Sequence, residues 1–361
     1  MRIGRLHQFV PTFEPGAVGA HILELQRLAH EVLGVEGEVF AEHVRPAMGG
    51  KARSHKTYGR GFAARDGDVL VYHMAIGSDV ADFVRERPET LVVDHHNVTP
   101  AHLFERWEPG AAYGCSWGRA QLPELAGRAS LGVADSPYNE EELKAAGYRA
   151  TATAPILLDL EALAGAEPDA GAMERLAAAR AAGGSDWLFV GRVSPHKFQH
   201  DVVKAFAAYR RLYDPDARLH LVGGSSSDTY LEALKGFAAA LGIAGAVSFT
   251  GSVSAGALAA HYRSADVLVC LSEHEGFGIP LLEAMAHGVP VVAYSSTAVP
   301  GTVGDAGIVL ESKAPATVAA AVNRVVTDPT LSRSLIAAGV ARLQEFSLER
   351  IRARWVEVLT R

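Results

Sequence analysis

The chain has little cysteine, no long apolar run and no large net charge. It has only two cysteines among 361 residues, so a disulfide framework or a cysteine-based zinc site is not expected. We expect a reducing, cytoplasmic location instead. No run reaches the roughly 18–20 apolar residues that span a bilayer, and no basic leader precedes an apolar stretch at Met1. A net charge of −7 argues against general nucleic-acid binding.

One segment departs from this balance. Residues 43–65 contain no acidic residue and carry six basic ones: Arg45, Lys51, Arg53, Lys56, Arg60 and Arg65. A solvated loop punctuated by glycine would have this composition. An electropositive surface for an anionic acceptor, a phosphate or the face of a membrane would have it too, and peripheral membrane contact through 43–65 stays open.

Short apolar runs alternate with amphipathic segments along the whole chain. The runs predict strands near 2–9, 69–72, 90–94, 131–135 and 153–158, and again near 187–191, 218–222, 246–250, 266–271, 290–293 and 307–310. Apolar strands separated by helices are typical of parallel sheets covered on both faces. With 48% hydrophobic and 21% charged residues, each half can bury a full core. The sequence therefore predicts an α/β fold of two doubly wound, Rossmann-like domains.

The domain boundary is predicted in the Ala/Gly-rich stretch 160–185. This gives an amino-terminal domain, 1–165, and a carboxyl-terminal domain, 166–345. An amphipathic segment, 346–361, follows the second domain and is expected to pack back on the first. Ligands of open α/β sheets bind at the carboxyl ends of the strands.

The stretch 273–293 contains a glycine loop between two carboxylates. Glu275 follows a strand, Gly276-Phe277-Gly278 forms a tight loop, and Glu283 falls in the helix that begins next. Glycines before a helix let backbone amides approach an anion. Carboxylates accept hydrogen bonds from sugar hydroxyls. By itself, the loop could equally be a turn with two solvated glutamates.

A second loop offers positive charge. A strand ends at Val190, Gly191 follows, and Arg192 and Lys197 precede a helix that is predicted to begin near Gln199. A guanidinium and an ammonium beside a helix N-terminus suit a diphosphate. Two further glycine turns, one containing Gly224 and one preceding Val253, should lie along the same edge of the sheet.

Together the stretches 189–206 and 273–293 resemble the family-4 glycosyltransferases. The resemblance implies the GT-B fold, with two Rossmann-like domains facing each other across a cleft, and retaining transfer from a UDP- or GDP-sugar to an acceptor hydroxyl by same-face substitution. It implies a donor site in the second domain and an acceptor site in the first. The implied roles are the donor sugar for Glu275, the ribose for Glu283, the sugar and diphosphate for the amides of the glycine loop, the departing diphosphate for Arg192 and Lys197, and the base for the main chain of Val253.

The amino-terminal half matches the family less closely. Gly16 and Gly19 stand where relatives carry a Gly-Gly-x-Gly loop near the donor phosphate, with Ala17 replacing one glycine. A histidine at the end of a strand in this domain is implied to face the donor sugar. His96 fits that place better than His95. Judged without the resemblance, such a histidine is more often a structural residue than a ligand-binding one.

No metal ion is expected. Two Asp-x-Asp pairs exist, Asp66 with Asp68 and Asp214 with Asp216, but each precedes a strand and should lie at the edge opposite the ligand. Two other functions remain open: a nucleotide-sugar epimerase or phosphorylase of the same architecture, and a non-catalytic nucleotide-sugar-binding subunit. The sequence does not identify the acceptor.

Overall fold

The computed structural model describes residues 3–360. Arg2 and Arg361, which belong to the predicted first strand and last helix, lie outside the described residues. The chain divides into two compact units. The first unit contains Met1–Leu158 and Phe346–Arg361, and the second contains Asp159–Glu345.

The first unit is built on one parallel sheet. Its strands are β1 (Arg5–Phe13), β2 (Val39–Val44), β3 (Arg53–Ser54), β4 (Asp68–Met74), β5 (Thr90–His95), β6 (Leu131–Ala134) and β7 (Thr151–Thr153), in the order β3-β2-β1-β4-β5-β6-β7. Four of its helices are α1 (Ala17–Glu31), α2 (Asp79–Arg85), α3 (Pro109–Ala126) and α4 (Pro137–Ala145). Strand order reverses between β1 and β4, which makes their carboxyl ends the switch point of this sheet.

The second unit repeats the arrangement. Its parallel strands are β8 (Asp186–Val190), β9 (Arg218–Val222), β10 (Val247–Gly251), β11 (Val267–Cys270), β12 (Val291–Tyr294) and β13 (Gly307–Leu310), in the order β10-β9-β8-β11-β12-β13. Its helices are α5 (Leu160–Ala164), α6 (Ala170–Arg180), α7 (Gln199–Leu212), α8 (Asp228–Ala240), α9 (Ala255–Ser264), α10 (Ile279–Ala286), α11 (Val299–Val303), α12 (Pro315–Thr327) and α13 (Pro329–Leu343). Here the switch point lies between β8 and β11.

The last helix, α14 (Leu348–Thr360), belongs to the first unit. Its Trp355 is fully buried, and the indole Nε1 donates a 2.9 Å hydrogen bond to the carbonyl of Pro155. Arg354 donates to the carbonyl of Thr153 at 2.9 Å. The apolar stripe of this helix therefore covers residues just beyond β7.

Each unit has its own core, and the prediction of two Rossmann-like α/β domains is confirmed. Phe9 and Tyr72 lie in the core of the first unit, and Trp187 and Phe206 in that of the second. All four are fully buried. Because both faces of each sheet are covered by helices, the strands have the continuous apolar sequence that predicted them.

Three features differ from the sequence-based prediction. The strand predicted near 153–158 is β7, Thr151–Thr153, and ends where the prediction begins. Strands β2 and β3 were not predicted, because Val39–Val44 becomes polar after three residues and Arg53–Ser54 is short and exposed. The unit boundary falls at Leu158 instead of residue 165, since helix α5 packs against α10 of the second unit.

Candidate functional site

The carboxyl ends of β8 and β11 bring two predicted site residues into contact. Lys197 follows β8 and Glu275 follows β11, and the Lys197 ammonium lies 2.6 Å from Oε2 of Glu275. The two side chains are only 19% and 9% exposed. The backbone of Glu275 is held by Thr297, whose Oγ1 accepts from the Glu275 amide at 2.8 Å and donates to its carbonyl at 2.7 Å. This ion pair therefore sits on a fixed backbone at the switch point of the sheet.

Arg192 adds an exposed positive charge to the same loop. Its side chain has no ion pair among residues 3–360. Gly191, just before it, has a φ of 143°, a conformation that suits glycine. Phe198 closes the loop in the left-handed region, with a φ of 51°, and α7 begins directly after it. In this loop, Arg192 is therefore exposed and without an ion pair among the described residues, whereas Lys197 is paired with Glu275.

The glycine loop after Glu275 leads into helix α10. Gly278 is the N-cap residue, with a φ of 91°, and no side chain caps the helix at this position. A Cβ atom there would lie 2.7 Å from Cδ1 of Leu281. The carbonyl of Phe277 accepts a hydrogen bond from Oγ1 of Thr302 at 2.5 Å. Amides at an uncapped helix start carry partial positive charge, which suits an anionic group.

Glu283 is held by a residue that the sequence-based analysis did not single out. Buried Tyr262 donates its hydroxyl to Oε2 of Glu283 at 2.7 Å. The ring of Tyr262 stacks on that of His287 with a 4.9 Å centroid distance. Burial raises the pKa of Glu283, although the hydrogen bond from Tyr262 opposes this rise. No local signal marks Tyr262, because it lies in α9 and reaches Glu283 only through the fold.

Glycines that follow or end β8, β9 and β10 pack together at the carboxyl edge of the same sheet. Gly223 has a φ of 144°, and its amide donates to the carbonyl of Gly251 at 3.1 Å. A Cβ atom on Gly223 would lie 2.1 Å from the carbonyl oxygen of Gly191, and one on Gly224 would lie 2.6 Å from Oγ of Ser252. Val253, two residues after the last of these glycines, is half-buried. This edge therefore offers backbone, with little side chain, to a ligand.

In the first unit, glycines open helix α1. Gly16 is its N-cap, with a φ of 142°, and nothing lies within 4 Å of the Cβ that it lacks. Gly19 packs closely, because a Cβ there would lie 2.1 Å from the carbonyl of Glu14. Ala17 is the first residue of the helix. Gly16 thus leaves open space at the end of β1, whereas Gly19 is needed for packing.

His96 lies in a buried group of side chains that we call the histidine cluster: His21, His73, Asp94 and His96. Nδ1 of His96 lies 2.9 Å from Oδ2 of Asp135, and its Nε2 lies 3.2 Å from Oδ2 of Asp94. The His96 side chain is only 2% exposed. Both ring nitrogens are thus engaged inside the first unit, and contact with a donor sugar stays a prediction. His95 is also buried and pairs with Glu142 at 3.2 Å.

One aspartate of each Asp-x-Asp pair has protein partners. Asp68 receives hydrogen bonds from Arg5 at 2.6 Å and from the hydroxyl of Tyr58 at 3.1 Å. Asp214 accepts from the amide and the hydroxyl of Ser185, both at 2.8 Å. Asp68 begins β4 and Asp214 precedes β9, so both lie at the amino ends of their strands. Each aspartate therefore has a local structural role.

The basic segment 43–65 is partly neutralised. Arg45 pairs with Glu14 at 3.4 Å, and Arg53 pairs with Glu38 at 3.0 Å. Within the described part of the chain, four of its basic side chains have no ion pair and are exposed: Lys51, Lys56, Arg60 and Arg65. No helix among residues 3–360 has both the length and the apolar character to cross a bilayer.

Comparison with known proteins gives a family for the second unit. Residues 179–342 match the family described as Glycosyl transferases group 1. A D-inositol 3-phosphate glycosyltransferase of Geodermatophilus obscurus is 41% identical over 173 residues, which cover 45% of this chain and 37% of that protein. A GDP-mannose-dependent alpha-(1-6)-phosphatidylinositol monomannoside mannosyltransferase of Mycobacterium tuberculosis is 38% identical over 159 residues, covering 42% and 40%. The match thus spans about two fifths of these curated relatives.

Solved structures match the whole chain. HepE from Anabaena, crystallised with UDP and glucose, covers 99% of both chains with a TM-score of 0.74 and 20% sequence identity. At that identity the match establishes the fold alone, which consists of two Rossmann-like domains. Residues 179–342 are therefore similar to the group 1 glycosyl transferases, and the chain has the GT-B fold of two Rossmann-like domains.

Proposed function

We propose that this protein is a retaining glycosyltransferase that moves a hexosyl group from a nucleotide-diphosphate sugar to an acceptor hydroxyl without a metal ion. The observation that carries the proposal is the Lys197–Glu275 ion pair at the switch point of the second unit. Exposed Arg192 and the uncapped start of α10 lie on the same two loops. Cations and helix amides suit the diphosphate of such a donor, and carboxylates suit its sugar hydroxyls.

Binding of the donor would separate Lys197 from Glu275 and give each side chain a new partner on the donor. In the free protein Glu275 neutralises Lys197. A bound diphosphate would draw the ammonium to its own oxygens, which would leave the carboxylate of Glu275 to accept hydrogen bonds from sugar hydroxyls. Glu283, oriented by Tyr262, would accept from the ribose. The second unit would thereby hold the whole donor, as the family match of residues 179–342 also suggests.

The chemical step follows from this charge arrangement. The bond between the anomeric carbon and the diphosphate oxygen breaks, and Arg192 and Lys197 stabilise the charge that develops on the departing diphosphate. The acceptor hydroxyl attacks from the same face and passes its proton to that diphosphate. The anomeric configuration is retained. No metal is needed in this scheme, because the cations and amides already neutralise the leaving group.

The donor is proposed to be a UDP- or GDP-sugar. A relative named as GDP-mannose-dependent supports GDP, and the HepE complex with UDP and glucose supports UDP. We further propose that the first unit binds the acceptor and that the unpaired basic side chains of 43–65 attract an anionic acceptor or an anionic membrane. Both cysteines are free thiols, which agrees with a cytoplasmic location.

A donor screen tests the proposed activity. UDP-, GDP- and dTDP-sugars are incubated with the protein alone, with inorganic phosphate or with a panel of alcohol acceptors, and products are separated and identified by mass spectrometry and proton NMR. Release of nucleoside diphosphate together with a new glycoside is expected, with the anomeric proton coupling of the donor preserved. Isomerised sugar without acceptor would indicate an epimerase, sugar phosphate formed with inorganic phosphate would indicate a phosphorylase, and binding without turnover would indicate a non-catalytic subunit.

A second assay addresses the basic segment. Substituting Lys51, Lys56 and Arg60 by Gln should reduce sedimentation with vesicles containing anionic lipid, or should raise the acceptor KM, and should leave the donor KM unchanged. Substituting Arg45 and Arg53, which already have carboxylate partners, is the matched control. A change in donor KM alone would contradict an acceptor or membrane role.

A further inference from the structure

The histidine cluster of the first unit brings together groups that need a cation between them. Its ligand-type atoms all lie within 4.8 Å of one another. Nδ1 of His73 and Nε2 of His96 are 3.0 Å apart, and Oδ2 of Asp94 lies 3.0 and 3.2 Å from them. Either a metal ion or a proton could hold these atoms so close. The surrounding hydrogen bonds decide which, because they fix the position of every other proton.

The outer nitrogen of His73 must carry a hydrogen. The side-chain amide of Gln8 donates through Nε2 to the carbonyl of Ile22 at 2.9 Å. Its Oε1 therefore faces Nε2 of His73, also at 2.9 Å, and can only accept. If the His73 ring is neutral, its inner Nδ1 consequently has no hydrogen.

His21 is fixed in the same way by the backbone. The amide of Leu157 donates to Nδ1 of His21 at 2.9 Å, so this nitrogen has no hydrogen. The hydrogen of the neutral ring is then on Nε2, which lies 2.9 Å from Oδ2 of Asp94 and donates to it. His21 consequently has no lone pair directed at the centre of the cluster.

The outer nitrogen of His96, Nδ1, also donates its hydrogen to a carboxylate. Nδ1 of His96 lies 2.9 Å from Oδ2 of Asp135, so Nδ1 donates. With both rings neutral, Nε2 of His96 and Nδ1 of His73 would face each other as bare lone pairs beside a carboxylate oxygen. That arrangement is repulsive. One added positive charge between these nitrogens removes the repulsion.

A proton fits this position better than a metal ion. The 3.0 Å separation of the two nitrogens is a hydrogen-bond distance. The N–H of His21 points at the same oxygen of Asp94 and would point at a metal bound there. An imidazole is also more basic than a carboxylate, which puts the proton on a ring in preference to Asp94. His96 is the ring with a carboxylate on both sides.

We propose that His96 is a stable imidazolium at neutral pH, held between Asp94 and Asp135, with His21 and His73 neutral. The charges agree with this assignment. Burial lowers the pKa of His96, but Asp135 and Asp94 outweigh it and raise that pKa well above its ordinary value. Burial lowers the pKa of His73 to about 4. Burial raises the pKa of Asp94, but His96 and His21 hold it well below its usual range.

The proposed proton on His96 lies where several helices and strands of the first unit meet. His21 comes from α1, His73 from β4, Asp94 and His96 from the end of β5, and Asp135 follows β6. Trp355 of α14 packs on the His21 ring at a 5.1 Å centroid distance. For catalysis, an inference that rests on the proposed function, His96 could not act as a general base, because both of its N–H groups are already donated. Its contribution would be a fixed positive charge.

Nitrogen-15 NMR of the full chain, labelled at histidine, tests the assignment without any substrate. At neutral pH the two nitrogens of His96 should both have protonated chemical shifts, whereas Nδ1 of His73 and Nδ1 of His21 should be unprotonated. The His96 signal is identified by its loss in His96→Asn, with exposed His102→Asn as control. A neutral His96, or a stoichiometric transition metal in the purified protein by mass spectrometry, would overturn the proposal.

A charge-removing variant gives a second, independent measurement. Asp135→Asn keeps a carbonyl oxygen that accepts from Nδ1 of His96 but removes one negative charge. The titration midpoint of His96 should fall by about one pH unit or more. Asp66→Asn, at an exposed carboxylate of the same unit, should leave it unchanged. Equal midpoints in both variants would overturn the role of Asp135, and neither result depends on whether the protein transfers sugar.

Discussion

The Lys197 ammonium and the Glu275 carboxylate, which are far apart in the sequence, meet at 2.6 Å in the second unit. They meet because β8 and β11 are neighbours in the sheet, although two strands separate them along the chain. The proposed donor site depends on this relationship. It keeps a cation for the diphosphate beside a carboxylate that can accept hydrogen bonds from sugar hydroxyls, even in the absence of ligand.

Removing the ammonium should slow turnover. We expect Lys197→Ala to lower kcat by about 10²- to 10³-fold, which is typical for the loss of one group that stabilises developing charge. Lys235→Ala is the matched control, because Lys235 forms a comparable 2.8 Å ion pair with Glu232 on the exposed surface. Steady-state kinetics with the donor found in the screen measure both, and circular dichroism checks folding. Equal kcat values for the two variants would contradict a role at the leaving group.

The packed glycines at the carboxyl ends of β8, β9 and β10 should not tolerate a side chain. Gly223→Ala would place Cβ 2.1 Å from the carbonyl oxygen of Gly191 at a φ of 144°, so we expect a loss of a few kcal/mol in unfolding free energy and weaker nucleotide binding. Gly236→Ala is the control. No atom lies within 4 Å of its added methyl group, and alanine in helix α8 should stabilise the protein by up to about 1 kcal/mol. Urea unfolding of the two variants should therefore shift in opposite directions, and a shift in the same direction would contradict the packing described.

Stability should fall in mild acid because of buried neutral histidines. Burial lowers the pKa of His7 to about 4, below its ordinary 6.5. The unfolded chain therefore binds more protons than the folded one as pH falls from about 6.5 towards 4, so this contribution to stability is complete above 6.5 and is lost through that window. The imidazolium of His96 gives the opposite pH dependence. Because its pKa is raised in the folded protein, its contribution to stability is complete below the ordinary pKa of histidine and is lost as pH rises through the raised value.

The variant His7→Asn isolates one such contribution. The asparagine carbonyl can accept the hydrogen bond that Nδ1 of His7 receives from the amide of Glu38 at 3.1 Å. Thermal unfolding between neutral pH and pH of about 5 should depend less on pH in this variant than in the wild type. Exposed His102→Asn should keep the wild-type dependence. An unchanged slope in His7→Asn would show that His7 binds protons equally in the folded and unfolded states, which would contradict its lowered pKa.

The fold was predictable because its signal is local. Strands such as β9 and β11 are apolar runs flanked by helices, and their lengths can be read from the sequence. The glycine loop before α10 and the cations before α7 were also predictable, since each motif is continuous along the chain. Strand β3 has no such signal, because two exposed polar residues resemble a loop.

Contacts between elements could not be predicted. Tyr262 reaches Glu283 from another helix, and His21 and His73 reach Asp94 from other elements. No spacing in the sequence joins these residues. His96 was identified through the family resemblance at a strand end, but its burial between two carboxylates depends on the order of β4, β5 and β6 in the sheet.

Metal removal should not stop transfer. Asp68 and Asp214 are engaged by Arg5 and Ser185, and the proposed site supplies positive charge through Arg192, Lys197 and the start of α10. We expect the same initial rate with excess EDTA as with added magnesium or manganese. A rate that is lost in EDTA and restored by either metal would require a metal site in the reaction.

Nucleotide titration calorimetry on the full chain tests the central claim most directly. UDP and GDP are titrated into the wild type, Glu283→Gln, Glu275→Gln and the exposed control Glu232→Gln. One nucleotide should bind the wild type, and Glu283→Gln should weaken that binding about tenfold or more through loss of a charged hydrogen bond to the ribose. Glu232→Gln should bind nearly as the wild type does, and Glu275→Gln should bind at least as tightly, because a free nucleotide lacks the transferred sugar and the Lys197 ammonium no longer has a competing carboxylate. Failure of both nucleotides to bind, or equal affinity in Glu283→Gln and Glu232→Gln, would contradict a donor site at these residues.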